Sequence, residues 1–240
     1  MDVLGDLAAE FAALTAILVG LDGAQWQVPS GADGWSVADV VLHLAQTNEM
    51  VVATCAGQSN GLDKAISVDA AVDRWVEAQR AGGPAVFRRW TQSLEPSLAA
   101  LRGADPNTHY PWADWPLRPI ALATTRIAEH WAHGLDVAMP LRIPFPDTDR
   151  LRHVAWLAHR TLPYGLALRD CPAIPVRCEL LGPNGDLWLF GPADAATVIT
   201  GPAGAFCRVA AKRLDPAEAG LIASGPAADE VLAALRSYAT

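Results

Sequence analysis

The stretch Arg126-Ile127-Ala128-Glu129-His130-Trp131-Ala132-His133-Gly134-Leu135-Asp136 decides how this chain is read. On a helix, Glu129 and His133 lie one turn apart on one face, where both side chains reach a single ion. Leu122, Ile127, Trp131, Leu135 and Val137 supply a mostly apolar face around them, so the segment is expected to be helical and packed. A third donor, His43, stands far upstream on another amphipathic segment. Two imidazoles and one carboxylate leave an open position on a tetrahedral zinc, which suits catalysis better than structural stapling. The bland alternative is that Glu129 faces solvent while the histidines hydrogen-bond inside or at the edge of a bundle.

Ligands so far apart in sequence meet only if their helices pack together. Upstream, Leu4, Leu7, Phe11, Leu14 and Leu18 repeat at helical spacing within residues 2–21. Ser36 is a plausible N-cap for the helix carrying His43, whose buried side is Val37, Val40, Val41 and Leu44. Residues 57–63 break the pattern. Helices are expected over 68–80 and 84–102, separated by Gly82-Gly83. Residues 103–116, rich in Pro, Asn, Trp and Asp, read as a loop, with Pro116 or Pro119 opening the helix of the motif. Four principal helices crossing in a bundle would bring His43 to Glu129 and His133.

Downstream, Pro144-Phe145-Pro146 ends the helical half. Residues 149–168 have helical character despite Pro163, and 175–181, 187–190 and 196–199 read as short strands between Gly/Pro turns. Residues 204–214 fit helix or strand, and 227–239 looks helical. The expected division is a metal-binding helical bundle over 1–150 and a helix followed by a small α/β domain over 151–240.

Composition narrows the functional classes. A net charge of −8 argues against a broad nucleic-acid surface, which needs clustered Lys and Arg. No apolar stretch has membrane length, and the opening Met1-Asp2-Val3-Leu4-Gly5-Asp6 lacks the basic start of a secretory signal. Cys55, Cys171, Cys178 and Cys207 form no Cys-x-x-Cys pair, so reduced cysteines in a cytoplasmic protein are expected. No phosphate-binding Gly-rich loop or activated serine stands out.

Around the triad, His130 is expected outside the metal's own ligands, as a supporting hydrogen-bond partner or an acid/base group. Asp136 and Asp39, three and four residues from the two histidines, are each placed to orient an imidazole through its other nitrogen. Arg126 shares the helical side of Glu129, and an arginine fork holds a carboxylate in a geometry lysine cannot reproduce. Arg208, Lys212 and Arg213 form a modest basic cluster for a carboxylate or a polar thiol. The tryptophans, Trp35 among them, read as packing residues, with Trp112 and Trp115 covering a pocket from their loop.

The run from Trp35 to Leu44 and that from Arg126 to Asp136 resemble the DinB-like metalloprotein superfamily, in particular its mycothiol-dependent maleylpyruvate isomerase group. Residues 152–158, 198–203 and 208–213 resemble that group's C-terminal arrangement. The resemblance implies an N-terminal DinB-like four-helix bundle with a smaller sterol-carrier-like α/β domain, the latter without implying sterol binding. It places zinc ligands, and with them catalysis, at His43, Glu129 and His133. Mycothiol is the implied thiol cofactor or co-substrate, with Arg126, Arg208 and Arg213 as binding residues. The implied activity is an S-transferase or isomerase acting on a small electrophilic metabolite through thiolate addition, with no nucleic acid or membrane as partner. A metal-dependent hydrolase and a nonenzymatic small-molecule binding module are the competing readings.

Overall fold

The computed structural model describes residues 2–58, 67–112 and 115–237. Parts of three expectations lie outside them: residues 59–63 of the expected break, 113–114 of the loop, and the end of the C-terminal helix. Two compact units divide the chain, Met1–Phe145 and Pro146–Ala239. The division falls within Pro144-Phe145-Pro146, slightly ahead of the boundary expected near residue 150.

The first unit is helical. Helix α1 (Val3–Leu18) buries Leu7, Phe11, Leu14 and Leu18 along one stripe. Helix α2 (Val37–Cys55) is buried over most of its length. It starts at Ser36, whose side chain accepts from the Asp39 amide at 3.2 Å while the Ser36 amide donates to Asp39 Oδ2 at 3.0 Å. Helix α3 (Val68–Ala78) lies alongside α2. Helix α4 (Gly83–Gly103) begins against the Trp26 ring, so closely that Gly83 has no room for a β-carbon. Helix α5 (Pro119–Ala138) starts at Pro119 rather than Pro116, with the proline where its missing N–H costs nothing. Helices α1, α2, α4 and α5 pack on one another, and α2 and α5 are direct neighbours.

In the second unit, helix α6 (Leu151–Ala167) runs through Pro163. Strands β1 (Val176–Leu181), β2 (Leu187–Phe190), β3 (Thr197–Pro202) and β4 (Ile222–Ser224) form one sheet in the order β2-β1-β3-β4. The β1–β2 hairpin is antiparallel with Cys178 opposite Phe190, β1 and β3 are parallel, and β4 joins β3 antiparallel. The ambiguous segment after residue 203 is helix α7 (Ala203–Ala210), because Phe206, Cys207, Val209 and Ala210 bury at helical rather than alternating positions. Strand β4 was not expected: three residues are too short to show an alternation. The C-terminal helix α8 (Ala228–Ala234) is shorter than the 227–239 pattern suggested. Among the described residues, no helix is long and apolar enough to cross a membrane.

Candidate metal centre

Helix α2 contributes His43 and helix α5 contributes Glu129 and His133 to one cluster. His43 Nε2 stands 3.4 Å from Glu129 Oε2, and His133 Nε2 stands 3.5 Å from the same oxygen. One donor atom from each of the three lies within 4.8 Å of the others. Donors on a tetrahedral zinc, with bonds of about 2.0–2.2 Å, stand about 3.3–3.6 Å apart. The two separations are therefore long for hydrogen bonds and right for neighbouring ligands of one ion. The donor types fit zinc, as do the two separations that involve Glu129. Glu129 keeps about a quarter of its side chain exposed, so the cluster opens to solvent on one side.

The electrostatics favour a charged carboxylate among imidazoles. Burial pushes the Glu129 carboxyl up, but His133, His43 and Arg126 overcome it and hold the group well below its ordinary range. Burial pushes the His43 imidazole down, against the opposing pull of Glu129. His133 is also penalised by burial, yet Asp136 and Glu129 together raise it above the usual histidine value.

Asp136 reaches His133. Its Oδ2 accepts from Nδ1 at 2.9 Å, which leaves Nε2 facing Glu129 with its lone pair available when the ring is neutral. Asp136 itself is 2% exposed. A strap from the loop before α2 docks here, the Gly31 amide donating to the Asp136 carbonyl at 2.8 Å. Trp35, on the same strap, covers the histidines: its rings lie 6.2 Å from His133 in a stacked arrangement and 5.1 Å from His43. Its Nε1 donates to Asp73 Oδ1 on α3 at 3.0 Å, which fixes the indole plane. Trp35 was read from sequence only as a packing residue. Nothing in its spacing signalled that the loop folds back over the histidines.

The other expected site residues divide. Asp39 does not orient His43: one of its oxygens serves the Ser36 cap and the other accepts from Arg80 Nε at 3.0 Å. His43 Nδ1 has no hydrogen-bond partner among the described residues. His130 is fully buried on the far side of α5, edge-on to Phe11. Its Nδ1 donates to the Arg126 carbonyl at 2.8 Å, and burial pushes its pKa down to about 3, so it stays neutral and makes no contact with the triad's donor atoms. Arg126 does lie at the cluster, its Nη2 3.5 Å from Glu129 Oε2 and its guanidinium 5.4 Å from the Trp112 ring centre. In the second unit, Arg208 is engaged by Asp147 through two bonds of 2.8 and 2.7 Å, and Arg213 Nη1 donates to the Ala211 carbonyl. Both terminal nitrogens of Arg208 are thus engaged by Asp147 in this structure.

A family model described as the mycothiol maleylpyruvate isomerase N-terminal domain matches residues 7–138. Two uncharacterised proteins of Mycobacterium tuberculosis are each 34% identical over 218 residues, covering 88% of this chain and 84% of theirs. Among solved structures, a mycothiol-dependent maleylpyruvate isomerase and a mutant of it resemble this chain with a TM-score of 0.66. They cover 93% of this chain and 92% of their own at 15% identity, a likeness of fold.

Proposed function

This chain belongs to the mycothiol-dependent maleylpyruvate isomerase family, and from that premise we propose a zinc- and mycothiol-dependent enzyme acting on a small electrophilic metabolite. The observation that carries the reading is the approach of two imidazole nitrogens to one Glu129 oxygen at 3.4 and 3.5 Å. His43, Glu129 and His133 would hold the ion. Zinc bound there would supply a Lewis acid that favours the thiolate form of a thiol. Asp136 keeps His133 in the tautomer a metal needs, and Trp35 shields the two imidazoles from bulk water.

The reaction is thiolate addition to an electrophilic double bond. The sulfur forms a bond to carbon and the double-bond electrons move onto the conjugated carbonyl. Rotation about the resulting single bond, followed by expulsion of the same thiolate, isomerises the substrate and returns the thiol. Protonation of the adduct instead leaves a thioether, the outcome of an S-transferase. The family premise also supports reading α1, α2, α4 and α5 as the DinB-like four-helix bundle and the second unit as sterol-carrier-like. The described cysteines are free thiols, in keeping with a cytoplasmic setting alongside a thiol co-substrate.

The test is incubation of zinc-loaded protein with mycothiol and an electrophile panel including maleylpyruvate, with products followed by mass spectrometry. Isomerised substrate with regenerated mycothiol identifies an isomerase, and a mycothiol adduct identifies a transferase. Turnover that ignores mycothiol would instead identify a hydrolase, and saturable binding without product a binding module.

A further inference from the structure

Arg89, Arg208 and Arg126 each lie beside a carboxylate, and they differ in what fills their donor edges. Arg89 grips Glu49 with Nε on one oxygen and Nη2 on the other, both at 2.7 Å. Arg208 grips Asp147 with its two terminal nitrogens. The Arg126 side chain is 3% exposed, against 33% for Arg89 and 24% for Arg208, so it has the least water to fall back on. Yet its Nε and Nη2 donate no hydrogen bond among the described residues. Those are the two atoms with which Arg89 holds its carboxylate.

A desolvated guanidinium with two open donors is costly unless an anion completes it. Glu129 supplies opposite charge at 3.5 Å, but the same oxygen also faces His43 and His133 and fills neither donor. The Trp112 ring lies against the guanidinium, a contact that steadies a cation. We infer that Arg126 is the seat of a substrate carboxylate, its Nε–Nη2 edge gripping both oxygens and selecting acidic electrophiles over neutral ones. This rests on the proposed reading of the neighbouring triad as the reaction centre. An anion on that edge would place the rest of a small molecule a few bonds from the Glu129 oxygen, where positioning counts most. The planar fork explains why arginine stands here: a lysine would keep the charge and lose the two-point geometry.

The test is calorimetric titration of the purified protein, its zinc per chain measured, with maleate and with the diamide maleamide. Maleate should bind at least about tenfold tighter than maleamide, as expected for charge-assisted bonds. Arg126→Gln should weaken maleate binding roughly 10- to 100-fold, and Arg126→Lys by less, with zinc content unchanged in both. Equal binding of maleate and maleamide, or Arg126→Gln binding maleate as tightly as the parent, overturns the inference. So does loss of zinc in step with maleate affinity, which makes Arg126 a positioning residue for Glu129. If Arg126→Gln does not fold, the ligand pair and Arg126→Lys decide. Parent protein that takes up no zinc when zinc is supplied yet binds maleate through Arg126 keeps the seat and overturns the metal reading, so the two failures are distinct.

Discussion

The α2–α5 pair and the second unit bury their polar groups in different ways. Around β1, β3 and α7 the interior is Val176, Cys178, Leu180, Ile199 and Phe206, and Arg208 and Asp147 satisfy each other at a partly exposed position. Between α2 and α5, His43, Arg126 and Asp136 are all nearly or fully buried, and among the described residues His43 Nδ1 and Arg126 Nε and Nη2 have no hydrogen-bond partner. A region selected for stability alone would fill that space with aliphatic side chains, because each unpaired buried polar group costs about 1–3 kcal/mol. The contrast is between an ion pair complete in itself at Arg208 and Asp147 and buried donors of His43 and Arg126 that the described residues leave unfilled, the pattern expected if the α2–α5 pair takes a ligand as proposed above.

The sharpest way to break this comparison is to remove a triad member. His43→Ala should lower zinc affinity by more than the roughly 10–100-fold that loss of a supporting partner produces, because a direct donor is gone. Metal content after dialysis, with circular dichroism to confirm folding, reads the result. Retention of zinc by a folded variant would make His43 an ordinary core histidine and erase the difference between the regions. Asp136→Ala should act next, at roughly 10–100-fold in zinc affinity, since His133 loses the carboxylate that fixes its tautomer. A competition titration against a chromophoric chelator measures it, and an effect below about twofold would mean that the packing around His133 is enough to hold the ring.

Much of this arrangement was legible from spacing. The stripe Leu7, Phe11, Leu14 and Leu18 fixed α1, Ser36 marked the start of α2, and one helical turn placed Glu129 beside His133. What spacing could not decide was which partner captures a carboxylate. Asp39 and Asp136 sit at nearly equivalent distances from their histidines, and only Asp136 reaches its ring. Asp39 is in the first turn of α2, where the free Ser36 amide claims one oxygen, and Arg80 approaches from a distant part of the chain to claim the other. Trp35 and Gly31 were illegible for a related reason: their roles arise from a loop folding back across α5, a long-range contact without periodicity. The pairing of Arg208 with Asp147, far away in sequence, was illegible for the same reason.

That loop offers a finer probe. A β-carbon on Gly31 would lie 2.8 Å from Asp136 Oδ1 and 3.0 Å from Asp136 Cα, too close to fit without a shift. Gly31→Ala should therefore push on Asp136 without touching a metal donor, and weaken zinc binding roughly 2- to 10-fold. If the same chelator titration shows no change, the strap yields rather than Asp136, and the support around His133 is stiffer than its contacts suggest.

The smallest effect belongs to the second unit, where the comparison expects stability to change and chemistry to stay put. Arg208→Ala frees the Asp147 carboxylate, but both side chains are about a quarter exposed, so water takes over much of what the fork supplied. The expected loss is about 1 kcal/mol of folding stability, read from the shift in urea midpoint. Zinc affinity should not move, because the pair is complete within its own unit. Zinc or thiol binding that weakens while the urea midpoint holds would reverse the assignment: the Asp147 contact would be a resting place from which Arg208 is drawn into the reaction, and polarity in the second unit would be functional after all.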